Sequence, residues 1–136
     1  MITSKVVYQG ELRTSATHML SGTTIITDAP PDNQGKGEAF SPTDLVATAM
    51  ASCMLTIMGI AARTHQLEIT GTTVEVTKVM ASNPRRISEI HCIFHIPGQG
   101  LSAKDKAILE NAGKTCPVIQ SLSSEIRKVI QFNYLQ

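Results

Sequence analysis

The longest pattern in the chain is an almost uncharged run from Ser41 to Arg63. Between Asp44 and Arg63, Cys53 is the only ionisable side chain. The run begins with residues that favour the start of a helix. Ser41 can cap the first turn, Pro42 fits the first helical position, and Asp44 completes a capping box with Ser41. The pattern predicts one helix, roughly 33 Å long.

A run of this length also satisfies the length rule for a membrane span. Threonine, serine and several alanines make it only mildly apolar, and the segments around it have the patterns of soluble strands. Its small side chains would let neighbouring backbone come close. These features favour a helix buried in the centre of a domain over a membrane span.

Shorter alternating patterns before the helix predict β-structure. β-Branched and apolar residues over 3–28, with Gly10 and Gly22 at turns, predict an antiparallel meander of three strands. On the second strand Arg13 shares a face with other polar residues, which predicts a solvated edge position. Residues 29–40, which include two prolines and two glycines, predict a loop that leads to the helix.

Two segments after the helix, 67–80 and 86–96, predict a β-hairpin. His91 and His95 share one face of its second strand, but about 13 Å of extended chain separates them, too far for one metal ion. We therefore expect exposed histidines and no metal site. Cys92 faces the other way and is expected to be a packing residue.

The C-terminal third predicts two more helices. A second capping box, Ser102 with Asp105, opens the first of them, and Gly113 is its expected C-cap. Cys116 stands directly before a proline, at the start of a short helix that continues through Ser123. At that position the helix dipole favours the thiolate, so we expect a lowered pKa for the Cys116 thiol.

Residues 125–135 are the last predicted strand. The predicted order is therefore a β-meander, a long central helix, a β-hairpin, two further helices and a final strand. Segregated elements of this kind are typical of the α+β class rather than of a βαβ repeat. With 136 residues and no linker or internal repeat, we expect a single domain over 1–136.

Composition narrows the function classes. The chain is 42% hydrophobic and only 4% aromatic, so its core is expected to be aliphatic. A net charge of +1 without a basic patch argues against nucleic acid or a membrane surface as partner. The N-terminus lacks the pattern of a signal peptide, and three widely spaced cysteines do not make a disulfide framework. We expect a cytoplasmic protein with reduced thiols.

Cys53 and Cys116 are the candidate reactive groups. They do not form a C-x-x-C pair, so a thioredoxin-like site is excluded. If their helices pack together, one thiolate can attack a peroxide O–O bond, and the other thiol can resolve the sulfenic acid to a disulfide. The alternative is that both cysteines only fill space in the core, as most buried cysteines do.

Both cysteines lie in contexts that resemble one known family. The helix segment S-P-T-D-L-x-A-x-A-x-A-S-C, which ends at Cys53, resembles the first motif of the OsmC/Ohr family, the osmotically inducible protein C and organic hydroperoxide resistance proteins. The segment T-C-P-V-I-Q-S-L around Cys116 resembles the second. Order and spacing agree over essentially the whole chain. The resemblance implies an OsmC-like α+β fold in an intertwined homodimer with two sites at the interface.

The resemblance also implies thiol peroxidase activity on organic hydroperoxides, without a metal or an organic cofactor. Cys53 would be the peroxidatic cysteine and Cys116 the resolving one, and a dithiol reductant of lipoyl type or a small thiol would regenerate them. The best-studied members add an arginine from the N-terminal strands and a carboxylate near the helix start. Arg13 and Asp44 are the candidates. The Ohr branch has N-P-E at the helix start, with Glu at the position of Thr43 in this chain. Here the acidic residue comes one position later, at Asp44, and this placement resembles the general OsmC-like branch.

Asp44 has two interpretations. As the third helical residue it is explained by capping alone. As a site residue it would pair with Arg13 across the dimer, because about 13 Å of helix separates it from Cys53 and an arginine would have to connect them.

The alternative function is a non-enzymatic dimer that binds a small hydrophobic ligand or senses redox state. Two features motivate this alternative, namely the carboxylate at Asp44 rather than at position 43 and the largely apolar helix. The pKa of the Cys53 thiol distinguishes the two functions. An unshifted or raised pKa, together with no disulfide to Cys116 after mild oxidation, would favour the binding module.

Overall fold

The computed structural model describes all 136 residues, and their internal contacts divide the chain into two compact units, Met1–Val46 and Ala47–Gln136. The predicted α+β class and element order are confirmed. The elements are β1 (Ser4–Gly10), β2 (Arg13–His18), β3 (Thr24–Asp28), α1 (Pro42–Thr64), β4 (Thr73–Ala81), β5 (Arg86–Pro97), α2 (Ala103–Gly113), α3 (Pro117–Ser121) and β6 (Arg127–Leu135).

The N-terminal unit contains the predicted meander, an antiparallel sheet in the order β1-β2-β3. Glu11 and Leu12 connect β1 to β2 in the left-handed region, with φ of 55° and 62°. Such φ values match the two-residue hairpin turn that suits the twist of the strands. Apolar side chains remain exposed on both faces of this sheet, namely Val6, Val7, Tyr8, Ile25 and Ile26.

The loop after β3 is tied back to the sheet. Asp28 N–H donates to the Phe40 carbonyl at 3.1 Å, and Gly37 N–H donates to the Ala29 carbonyl at 3.2 Å. A short 3-10 turn, Pro31–Asn33, lies inside the loop. A Cβ at Gly35 would lie 1.8 Å from the Ala29 carbonyl oxygen, so only glycine fits this close approach.

Helix α1 begins as predicted. Asp44 N–H donates to Ser41 Oγ at 3.1 Å, and Ser41 N–H donates to Asp44 Oδ2 at 3.0 Å, which completes the capping box. By length and composition α1 could cross a membrane, but the core helix of a soluble protein meets the same test. Within the C-terminal unit one face of it is buried, through Ala47, Met50, Ala51, Met54, Met58 and Ala62.

The C-terminal unit holds the second sheet, in the order β4-β5-β6, with β4 antiparallel and β6 parallel to the central β5. The side chains on the inner face of β5 are fully buried, namely Ile90, Cys92, Phe94 and Ile96. The predicted packing position of Cys92 is therefore confirmed. His91 and His95 lie on the other face, half-buried rather than exposed, and each is hydrogen-bonded to a glutamate.

Several predicted boundaries are wrong. The last strand, β6, begins at Arg127 rather than at residue 125. Strand β4 begins at Thr73, since residues before it form a turn in which Gly71 has φ of 95°. Helix α3 ends at Ser121. Gly113 is the last residue of α2 rather than its C-cap, which is Lys114 in a right-handed conformation. Space at position 113 is tight, because a Cβ there would lie 3.0 Å from Cγ of Met58, whose side chain would have to shift.

Candidate active site

The two cysteines singled out from the sequence lie together in the C-terminal unit. Cys53 is in the middle of α1, and Cys116 is the N-cap of α3, as its position before a proline predicted. Their side chains are close enough for Cys53 to raise the pKa of the Cys116 thiol. Both thiols are free in this structure. The arrangement brings one possible nucleophile and one possible resolving thiol into direct contact.

The surroundings of the two thiols differ. Cys116 has no exposed surface, whereas Cys53 is half-buried. The Cys116 sulfur also accepts a hydrogen bond from the backbone N–H of Ile119 at 3.3 Å, which fixes it at the start of α3. Of the pair, only Cys53 is open to a molecule from solvent.

The expected lowering of the Cys116 pKa is wrong. Burial raises the pKa of this thiol, and its contact with Cys53 raises it further, while the Ile119 N–H opposes both. Helix α3 has only five residues, so it supplies few aligned peptide dipoles. Cys116 therefore remains a protonated thiol at neutral pH.

Cys92 is the third thiol in this unit. It has no exposed surface, and burial raises its pKa to about 11, with a smaller contribution from the charge of Cys116. A thiol that stays protonated and out of contact with solvent is a small hydrophobic packing group.

Arg13, in the N-terminal unit, is not the solvated edge residue that composition suggested. Its Nε donates to Asp28 Oδ1 at 2.7 Å and its Nη2 donates to Asp28 Oδ2 at 2.8 Å. The two bonds form a bidentate ion pair. Nη2 also donates to Glu38 Oε1 at 3.0 Å. We name Arg13, Asp28 and Glu38 the arginine clamp.

Sequence reasoning missed Asp28 and Glu38. Arg13 and Asp28 stand directly opposite each other in the register of β2 and β3, so a correct strand alignment would have paired them. Nothing local in the sequence indicates Glu38, which reaches Arg13 from the loop. The bonds from Arg13 lower the pKa of Asp28, and the carboxylates raise the pKa of Arg13, so Arg13 and Asp28 are both charged at neutral pH.

Asp44 lies in the first turn of α1, where its carboxylate and N–H complete the capping box with Ser41. These two capping hydrogen bonds are sufficient to explain why an aspartate occupies position 44. A role in catalysis stays a prediction.

No cluster of three or more His, Cys, Asp or Glu side chains that could hold a metal ion occurs in the chain. One cavity of about 350 Å³ opens at the end of α1, lined by Gly59, Ala62, Arg63, Leu67, Glu68, Ile69 and Thr70. None of the three cysteines lines this cavity.

Comparison with known proteins agrees with this fold. A crystal structure from Psychrobacter arcticus 273-4, described provisionally as an osmotic stress induced and detoxification response protein, is 57% identical; the match covers 98% of this chain and 96% of that one, with a TM-score of 0.93. An OsmC-like protein from Mycoplasma pneumoniae is 20% identical, with 98% and 96% covered and a TM-score of 0.81.

An organic hydroperoxide resistance protein OsmC from Legionella pneumophila is 15% identical, with 98% of each chain covered and a TM-score of 0.74. At this identity, as for the Mycoplasma protein, the likeness concerns the fold alone. No curated protein matches the chain significantly. The family model described as OsmC-like protein matches residues 35–130, a stretch that includes both Cys53 and Cys116. The chain therefore belongs to the OsmC-like family.

Proposed function

We propose that this protein is a thiol peroxidase that reduces organic hydroperoxides, with Cys53 as the peroxidatic and Cys116 as the resolving cysteine. The observation that carries the proposal is the contact between two reduced thiols, one half-buried and one fully buried. Organic hydroperoxide resistance proteins among the structures with this fold support the substrate class.

The first step oxidises Cys53. Its thiol loses a proton to solvent, and the thiolate attacks the terminal oxygen of the hydroperoxide. An S–O bond forms while the O–O bond breaks. The leaving alkoxide takes up a proton and departs as the alcohol, and Cys53 remains as a sulfenic acid.

The second step forms the disulfide. The Cys116 sulfur attacks the Cys53 sulfur, an S–S bond forms, and the hydroxyl leaves with the Cys116 proton as water. A dithiol reductant then supplies two electrons through thiol–disulfide exchange, which restores both thiols and oxidises the reductant to its own disulfide. We propose a lipoyl-type dithiol, or two molecules of a small thiol that end as one disulfide, for this step.

The division of roles follows from the surroundings. A hydroperoxide has to reach the attacking sulfur, and Cys116 has no exposed surface. Its raised pKa also keeps it protonated, and the thiolate is the nucleophilic form. A resolving thiol needs only to reach the neighbouring sulfenic acid, which its contact with Cys53 allows.

We further propose that the protein acts as a cytoplasmic homodimer. Apolar side chains are exposed on both faces of the β1-β2-β3 sheet, which is unusual for a monomer in water. A second copy of the chain is the partner that the family resemblance implies. A reducing compartment would keep the thiols in the free form between turnovers.

Stopped-flow measurement of cumene hydroperoxide consumption tests the peroxidase. We expect rapid oxidation of the wild type, none beyond background with Cys53→Ser, and a single oxidation without disulfide formation with Cys116→Ser. Cys92→Ala is the matched control, since it removes a buried thiol of the same unit and should keep the activity. Equal, slow consumption by wild type and Cys53→Ser would exclude the peroxidase and favour a non-enzymatic binding module.

Mass spectrometry after one equivalent of peroxide tests the assignment of the resolving thiol. We expect a disulfide between Cys53 and Cys116 and an unmodified Cys92. A disulfide that contains Cys92, or none at all, would contradict the proposed second step.

A further inference from the structure

The segment that follows α1 folds back along the end of this helix. Gln66 adopts a left-handed conformation with φ of 58°, and its N–H donates to the Arg63 carbonyl at 3.3 Å. Leu67 N–H donates to the Ala62 carbonyl at 2.7 Å. These two bonds form a Schellman motif, which reverses the chain direction. Residues 67–70 and the last turns of α1 therefore line one cavity of about 350 Å³.

Two side chains of opposite charge line this cavity without pairing with each other. Glu68 Oε1 accepts the backbone N–H of Thr70 at 2.8 Å, and the hydrogen bonds from Thr70 lower the pKa of Glu68, which keeps it ionised. Arg63 makes no ion pair and no side-chain hydrogen bond. It is also not needed as a helix cap, because the loop N–H groups already bond to the carbonyls of Ala62 and Arg63.

The rest of the cavity wall is mainly apolar. Ala62 is buried, and Leu67 and Ile69 are half-buried against the core of the C-terminal unit. A Cβ at Gly59 would meet nothing within 4 Å, so this part of the wall faces open space. The volume lies at the lower end of the range for small-molecule sites, about 300–1,000 Å³. The cavity thus combines an apolar surface with one cation and one anion.

We propose that this cavity binds a small aliphatic amino acid as its zwitterion. The ligand carboxylate accepts hydrogen bonds from the Arg63 guanidinium, the ammonium group donates to the Glu68 carboxylate, and the aliphatic side chain contacts Leu67 and Ile69. A simple anion would leave the Glu68 charge unpaired, and a simple cation would leave the Arg63 charge unpaired.

This site is separate from the proposed peroxidase. All of its residues belong to the C-terminal unit, and none of the three cysteines lines the cavity. No covalent step is involved, so binding neither requires nor consumes a thiol. The site would give the protein a second ligand of a different chemical class from the hydroperoxide.

Isothermal titration calorimetry at neutral pH tests the ligand class with three compounds of similar size. L-Leucine carries both charges, isocaproate lacks the ammonium group, and leucinamide lacks the carboxylate. We expect saturable binding of leucine with a dissociation constant below about 1 mM. Each analogue should bind about tenfold more weakly, because one charge-assisted hydrogen bond is lost. No saturable binding of leucine, or equal binding of leucine and isocaproate, would overturn the proposal.

Two charge variants test which side chain holds which end of the ligand. Arg63→Gln should bind leucine about tenfold more weakly and should no longer distinguish it from leucinamide, whereas Glu68→Gln should no longer distinguish leucine from isocaproate. Arg127→Gln is the matched control, because it removes the same charge from a side chain on β6 that is 73% exposed and does not line the cavity. Unchanged ligand preferences in both charge variants would contradict the assigned contacts.

Filling the cavity tests its position. Gly59→Leu places a side chain in the open space beside α1, so we expect a folded protein by circular dichroism that no longer binds leucine. Wild-type affinity in this variant would show that leucine binds elsewhere. Cys53→Ser should bind leucine as the wild type does, whether or not it reduces peroxides. Failure of the leucine site and failure of the peroxidase are therefore measured separately.

Discussion

The two sheets of this protein have three strands each but opposite surroundings. In the C-terminal sheet the inner side chains of β5 have no exposed surface and pack against α1, α2 and Cys116 of the same unit. In the N-terminal sheet, by contrast, Val6, Tyr8 and Ile25 are 60%, 64% and 47% exposed. The C-terminal sheet is therefore covered by elements of its own unit, whereas the N-terminal sheet exposes apolar side chains to solvent.

This difference shows that the residue pattern of a strand does not indicate which surface buries its side chains. β-Branched and aromatic residues indicate a pleated, half-buried surface in both sheets. The N-terminal sheet is joined internally by polar contacts, chiefly the arginine clamp and the Thr14–Thr27 hydroxyl pair. Its apolar side chains would gain most from a second protein surface, which is why we associate this sheet with the proposed homodimer.

The largest effect that follows from this comparison concerns Phe94. It is fully buried on β5 and stacks on Phe132 with ring centroids 4.8 Å apart. Phe94→Ala should lower the free energy of unfolding by about 3–5 kcal/mol in urea titrations. Tyr8→Ala, on the exposed sheet, is the control and should cost less than about 1 kcal/mol in dilute protein. Equal costs would mean that the two sheets do not differ as described.

A charged residue on the exposed sheet tests the proposed dimer. Ile25→Asp should raise the dimer dissociation constant on the order of a hundredfold, or about 3 kcal/mol, because a carboxylate would be buried without a partner. Thr77→Asp is the control, since Thr77 is exposed on β4 in the other sheet. Sedimentation equilibrium measures both. Unchanged association with Ile25→Asp would exclude this part of the sheet from a dimer interface.

Alkaline pH should weaken the C-terminal unit through Cys92. Burial raises the pKa of this thiol from 9.0 to about 11, so between these values the folded state binds more protons than the unfolded state. The stabilising contribution is therefore complete below pH 9 and is lost as the pH rises towards 11, by about 2–3 kcal/mol.

Urea titrations from pH 8 to 11 measure this loss in the wild type and in Cys92→Ala. The variant should be less stable at pH 8 but should lose less stability as the pH rises. Parallel curves for the two proteins would show that the Cys92 thiol does not cause the alkaline loss.

Local signals predicted those features that depend on neighbouring residues. Ser41 with Asp44 and Ser102 with Asp105 form the capping boxes that their three-residue spacing indicated. The position of Cys116 before a proline placed it at a helix start. Each of these depends on backbone geometry within one turn of helix, which the sequence displays directly.

Features that depend on distant residues were missed. The two-pronged pair of Arg13 with Asp28 requires the register of β2 and β3, which strand patterns leave open. The raised pKa of Cys116 follows from burial by other elements, and this outweighs the local effect of a helix start. From the sequence, Arg13 was therefore expected to be a solvated edge residue, and the Cys116 thiol was expected to have a lowered pKa.

The smallest effect concerns two helical glycines whose surroundings repeat the contrast between packed and open surfaces. A Cβ at Gly59, inside α1, would meet nothing within 4 Å, so Gly59→Ala should stabilise the chain by about 0.5–1 kcal/mol through helix propensity. A Cβ at Gly113 would lie 3.0 Å and 3.1 Å from Cγ and Sδ of Met58. There the crowding should offset the same gain, and Gly113→Ala should be neutral or destabilising by about 1 kcal/mol.

Thermal unfolding of both glycine variants measures the difference at several protein concentrations. Stabilisation by Gly59→Ala at every concentration would show that this side of α1 remains open in solution. Destabilisation that appears only at high concentration would instead show that the partner subunit covers Gly59, because a methyl group would then crowd an interface that forms by association. The second outcome would extend the proposed dimer interface from the N-terminal sheet to α1.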